Sequence, residues 1–177
     1  MREYDLLAPG IARRGGIWAV LGNDTGSFTL ALCKLVGVEA ELYVIDKKSR
    51  ALEKQRRELA KGAPAARVHW VCADYAQAMD LPPLDGMVLV NALHDVKLER
   101  QEELLRHLRG YLKPDGGRLI LVDREVRTAS LRVKYPVNYE SFEYLAGTAG
   151  FVDLRRLAVL PVGLVREMYS ALGMRAG

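Results

Sequence analysis

The chain has only two cysteines, Cys33 and Cys72, far apart and without the spacing of a metal site. They read as buried, reduced thiols in an apolar helix and strand, so no metal is expected and a cytoplasmic setting follows. No apolar run approaches the length of a membrane span, and Glu3 and Asp5 stand where a secretory signal carries basic residues. No Ser/Gly-rich or Pro-rich tract and no internal repeat divides the 177 residues. A single domain over residues 1–177 is expected, with 1–16 as an N-terminal helix and basic connector. No block of like charge occurs either: 26 Lys and Arg are interspersed with 22 Asp and Glu, for a formal charge of +4. That balance suits a solvated basic surface better than a nucleic-acid footprint.

What is present is enough apolar residue, 50% of the chain, for a full two- or three-layer core. It is laid out as strands alternating with helices. Residues 17–21 form a continuous apolar run that suits a strand buried on both faces. Apolar residues at helical spacing follow (Phe28, Leu32, Leu35, Val36), ended by Gly37. A second strand covers 42–45, and Ser49 offers a cap for a helix to about residue 60, with Arg50, Lys54, Arg57 and Lys61 facing outward. The alternation continues with a strand at 67–72, a short helical piece after Asp74, a strand at 86–90, a helix at 98–112 and a strand at 118–123. This pattern predicts an α/β, doubly wound, mostly parallel sheet with helices on both faces. A helix at 140–149 and strands at 152–160 and 164–172, separated by Pro161-Val162-Gly163, predict a closing antiparallel hairpin.

Chemistry concentrates where strand one meets its helix. The segment Gly22-Asn23-Asp24-Thr25-Gly26 is a short glycine-bracketed turn opening a helix, the place where open α/β sheets bind nucleotide-like ligands. Asp46, at the end of strand two, stands where a carboxylate reaches a ribose. Gly22 and Gly26 are equally what the turn alone would need, and Asp74 could simply cap the next turn. A G-x-G-x-x-G pattern is missing, which argues against a nicotinamide dehydrogenase.

Six motifs occur in order: 20–26 around the first turn, Asp46 after 43–45, Asp74 in Cys72-Ala73-Asp74-Tyr75, Asn91-Ala92-Leu93-His94-Asp95, Lys113-Pro114-Asp115-Gly116-Gly117, and Ala149-Gly150-Phe151. Together they resemble the class I S-adenosylmethionine-dependent methyltransferases, in particular the small-molecule group related to the ubiquinone and menaquinone C-methyltransferases. The resemblance implies a Rossmann-like seven-stranded sheet of order 3-2-1-4-5-7-6 and S-adenosyl-L-methionine as methyl donor. It implies a donor site built from Gly22, Asn23, Asp24, Thr25 and Gly26, with Asp46 and Lys47 at the ribose, Asp74 and Tyr75 at the adenine, and Asn91 in the loop beneath the sulfonium. The chain departs from the family at Val20, where an acid leads the motif, and at Asp24, where the middle glycine belongs. Asp24 either repels the donor carboxylate or replaces the missing acid and binds the donor ammonium.

Methyl transfer requires alignment of acceptor and methyl rather than a protein nucleophile. His94 is the candidate catalytic residue, a general base for a hydroxyl or acidic carbon, with Asp95 beside it. A solvent-facing or helix-capping pair is the alternative. The acceptor is expected to be a small molecule. The short segments 1–16 and 125–139 imply an open active site that a second copy of the chain could cover. Rival readings are a catalytically silent binding protein and an RNA methyltransferase using Arg124, Arg127, Arg132 and Lys134.

Overall fold

The structure, a computed structural model, describes residues 2–22, 25–62, 66–131, 133–161 and 167–177. Asn23, Asp24, Arg132, Val162 and Gly163 therefore lie outside the described residues. One seven-stranded sheet organises the chain. Its strands are β1 (Gly16–Gly22), β2 (Ala40–Asp46), β3 (Arg67–Cys72), β4 (Gly86–Val90), β5 (Arg118–Arg124), β6 (Phe151–Pro161) and β7 (Glu167–Arg175). They lie in the order β3-β2-β1-β4-β5-β7-β6, as expected from the sequence. The first five pair in parallel, while β7 runs antiparallel between β5 and β6.

Helices α1 (Arg2–Leu7), α2 (Ser27–Val36) and α3 (Ser49–Lys61) cover one face, and α4 (Leu98–Arg109) and α5 (Tyr139–Thr148) the other. Strand β1 explains its own unbroken apolar run. Ala19 and Leu21 enter the core under α4 and α5, whereas Trp18 and Val20 enter the core under α1 and α2. Side chains alternate between faces, so a strand covered on both sides has no polar position to spare. Helix α3 shows the complementary logic. Leu52, Gln55 and Leu59 are buried on one stripe, and Arg50, Lys54, Arg57 and Lys61 are exposed on the other.

Several local expectations are corrected. Lys48, not Ser49, is the N-cap of α3, and its N–H is taken by the Asp46 carboxylate at 2.8 Å. The residues after Asp74 form a turn rather than a helix, held by Gln77 N–H on the Asp74 carbonyl. Pro82 and Pro83 themselves lack amide donors, which blocks helical continuation. Helix α4 stops at Arg109, capped at Gly110, three residues short of the expected end. Cys33 is buried, and burial pushes its thiol up to about 11, but Cys72 is exposed because it ends the edge strand β3.

Candidate active site

Following the chain, β2 and β3 are laid down on one side of β1, and β4 and β5 on the other, so a crevice opens at the carboxyl ends of β1 and β4. Gly22 ends β1 in register with Val90 of β4, at a φ of 98°. A Cβ at Gly22 would lie 2.5 Å from the Ala92 methyl and 2.5 Å from the Val90 carbonyl oxygen. Only glycine permits this approach, and the left-handed backbone reinforces the requirement. Gly26 is different: its missing Cβ faces α3, 3.1 Å from the Gln55 carbonyl. Thr25 and Gly26 accordingly line a separate pocket against Lys54 and Glu58.

The crevice has two adjoining parts that share Lys47, Tyr75 and Asp95. The inner part, about 420 Å³, is lined by Gly22, Asp46, Asn91, Ala92 and Lys134 as well. The outer part, about 430 Å³, adds Asp74 and the exposed side of α4. The structure thus gathers Gly22, Asp46, Lys47, Asp74, Tyr75 and Asn91 around one continuous rim. Asp74 also serves its own turn, accepting the Ala76 N–H at 3.0 Å.

The rim is acidic. Burial pushes the Tyr75 hydroxyl up to about 12, and the carboxylates of Asp95, Asp46 and Asp74 add to the rise. Asn91 sits at a positive φ of 45°, and its Oδ1 is buried with no hydrogen-bond partner among the described residues. An orphaned acceptor beside a cavity is a site for an incoming donor group. Among the described residues no cluster of His, Cys, Asp and Glu is suited to a metal ion.

His94 lies in the 3-10 turn Leu93–Asp95 that leads from β4 towards α4. It is neither solvent-facing nor a helix cap: it is 4% exposed, and Nδ1 is 2.5 Å from Oδ1 of Asp123, which is itself fully buried. Asp95 precedes the helix rather than starting it, since Lys97 is the N-cap of α4. Asp123 Oδ1 also accepts the Arg124 N–H at 2.7 Å, while Oδ2 has no partner among the described residues. Burial pulls the imidazole down, but the Asp123 hydrogen bond and charge, with Asp95, outweigh it and hold His94 above its ordinary value. His94 itself lines neither part of the crevice, although Ala92 and Asp95 on either side of it do.

A sequence model of the methyltransferase domain matches residues 20–116, more than half of the chain. The chain belongs to this methyltransferase family. No curated protein matches it in sequence. The fold of this methyltransferase domain is similar to that of a Nostoc punctiforme protein assigned to the O-methyltransferases, with a TM-score of 0.77 and 17% identity over 96% of the chain. It is also similar to a SAM-dependent methyltransferase from Aquifex aeolicus (0.71, 19% identity, 99% of this chain and 87% of that one). The N-methyltransferase NodS from Bradyrhizobium japonicum gives 0.73 and 16% identity over 99% of this chain and 95% of that one. The chain spans only 55% of the Nostoc protein's length.

Sequence reasoning passed over Asp123 as the mere end of a strand. Its partnership with His94 follows from β4 and β5 being adjacent and parallel, with Val90 beside Val122. An acid closing one parallel strand, next to a strand followed by histidine, is the signal that could have found it.

Proposed function

We propose that this domain transfers a methyl group from S-adenosylmethionine to a small molecule whose accepting atom gives up a proton. The observation that carries the reading is a glycine-closed crevice at the ends of β1 and β4 whose lining residues Ala92 and Asp95 flank the buried, Asp123-paired His94. The residues present fit the donor. Asp46 offers a carboxylate to the ribose hydroxyls, Asp74 and Tyr75 flank the adenine end, and the unpaired Asn91 oxygen offers an acceptor near the methionine end. Charge-assisted bonds of the Asp46 kind contribute about 1.5–3 kcal/mol each. When bound, the donor supplies an electrophilic methyl carbon on a sulfonium.

The chain's own residues supply the rest. The crevice orients donor and acceptor. His94 takes the acceptor proton on Nε2, because Nδ1 is committed to Asp123, and Asp123 stabilises the imidazolium that results. The narrower resemblance to small-molecule C-methyltransferases makes an acidic carbon one acceptor type, and a hydroxyl is the other. Asp24, in place of the family's middle glycine, serves as counter-charge to the donor ammonium in this reading.

A second copy of the chain covers the open crevice in the same reading. The unpaired cysteines fit a reducing, cytoplasmic compartment, and among the described residues no helix is long and apolar enough to cross a membrane. The basic residues after β5 support a small acceptor better than an RNA: Arg127 is engaged by Glu140 at 3.3 Å, and Lys134 lines the crevice. Calorimetric titration with S-adenosylmethionine or S-adenosylhomocysteine tests the proposal, with Asp46→Asn as control. Binding in the parent chain that weakens in the variant supports it, and no heat at millimolar ligand defeats it.

A further inference from the structure

Gln101 stands out on α4 as a polar residue on a buried stripe. It is 1% exposed and shares its face with Leu104, Leu105 and Leu108. Its Nε2 amide group donates, with its two hydrogens shared, towards the carbonyls of Leu93 at 3.2 Å, Val96 at 3.0 Å and Tyr135 at 3.3 Å. The first two carbonyls bracket His94 in the chain. The third belongs to the strap that follows β5, and the Tyr135 N–H of that same strap donates to the His94 carbonyl at 3.0 Å. One amide group therefore ties the start of α4, the 3-10 turn and the strap together around a single histidine.

We propose that Gln101 is a positioning residue that holds the His94 turn and the strap around Tyr135 in the arrangement that seats the imidazole against Asp123. The inference rests on the reading of His94 as the base. A buried amide is costly without partners and strong with them, so a glutamine here is retained only where its donors are used. Beyond the Asp123 and Tyr135 bonds of His94 and the buried Leu93 side chain, the turn is held locally. Its own bonds are two short-range ones, Asp95 N–H to the Ala92 carbonyl at 3.2 Å and Val96 N–H to the Leu93 carbonyl at 3.1 Å. Gln101 lines neither part of the crevice, so its side chain makes no direct contact with a ligand bound there.

The test replaces Gln101 by methionine, which keeps the volume and removes the donors, and follows the His94 imidazole by NMR. The chain has three histidines, and His94→Gln assigns the signal. The groups acting on the imidazole are Asp123 on β5, Asp95 on the turn, and Arg124 next to Asp123. In Gln101→Met the His94 midpoint is expected to fall towards its ordinary value of about 6.5, and the Tyr135 amide to exchange faster, while affinity for S-adenosylhomocysteine stays within about twofold, a difference too small to mark a lost contact. A folded variant whose His94 titrates as in the parent chain overturns the proposal, because a merely structural glutamine would lower stability without moving that midpoint. Should the methionine variant not fold, Gln101→Asn, which keeps the amide one methylene short, is read by the same criterion. Failure of the methyltransferase reading is distinguishable, since it shows as no S-adenosylhomocysteine binding in the parent chain and leaves the titration intact.

Discussion

Removing either member of the His94–Asp123 pair should cost stability, but by different amounts and with opposite electrostatic logic. Asp123 is fully buried, and its Oδ2 already lacks a partner among the described residues. In His94→Ala the remaining carboxylate loses its principal counter-group and stays charged in the interior. Breaking a buried pair in this way costs about 3–5 kcal/mol. In Asp123→Asn the imidazole can shed its proton, so no unpaired charge is left behind. The loss is then that of one charge-assisted hydrogen bond, about 1.5–3 kcal/mol. For a chain of this size about 1 kcal/mol moves Tm by about 2–4 °C, so the two variants should be separable in one thermal series at neutral pH.

The pH dependence adds a second criterion. Burial lowers the His94 pKa, yet Asp123 raises it further, so the folded value lies above the unfolded one. The folded state then binds the proton more tightly, and the contribution is complete below about pH 6.5 and is lost as pH rises through the raised folded value. The penalty of Asp123→Asn should therefore be largest near about pH 5.5 and smaller near about pH 8.5. Urea unfolding of parent and variant at both values measures it. Equal penalties at the two pH values, or a smaller penalty for His94→Ala than for Asp123→Asn at neutral pH, would refute the account of a buried, Asp-supported imidazolium.

Asp46→Asn should weaken S-adenosylhomocysteine by about tenfold or more, the equivalent of about 1.4 kcal/mol, in a calorimetric titration; unchanged affinity would remove Asp46 from the donor site. Gly22→Ala should destabilise by about 1–3 kcal/mol through overpacking against Ala92 and Val90, read from chemical denaturation, and a neutral effect would mean that the β1 end relaxes freely. With a thiol-reactive chromophore the native chain should expose one fast cysteine, Cys72, and release the second, Cys33, only on unfolding. Asp85 is held low: burial pushes its carboxyl up, but bonds from Lys113, Ile17 N–H and Arg13 outweigh it. Asp85→Asn should consequently lose stability at neutral pH, with the loss fading as acid takes the parent carboxyl through its depressed folded value, and a pH-independent difference would contradict this.

The legible parts of this protein are those written in neighbouring residues. The apolar run of β1 and the amphipathic stripe of α3 each depend on a few consecutive side chains. Alternation of such elements carries the parallel sheet, because a parallel pair needs a crossover and the crossover has one favoured hand. Asp46 was legible for the same reason, as the residue that ends a strand. The short piece after Asp74 was not, because its helical pattern is overruled by the prolines and by distant anchors: Tyr111 accepts the Met79 N–H at 2.8 Å, and His107 meets the Gln77 carbonyl at 3.0 Å.

By itself, then, the sequence determined the order of the elements, the sheet and the residues at the carboxyl ends of β1 to β4, since periodicity and turn chemistry are local properties of the chain. Tertiary structure decided which of those residues meet. It sank His94 beside Asp123, 29 positions away, turned Gly26 towards α3 instead of the crevice, and left Cys72 exposed on an edge. Burial and partnership belong to strand order and packing, and a side chain's chemistry follows its surroundings more than its place in the chain.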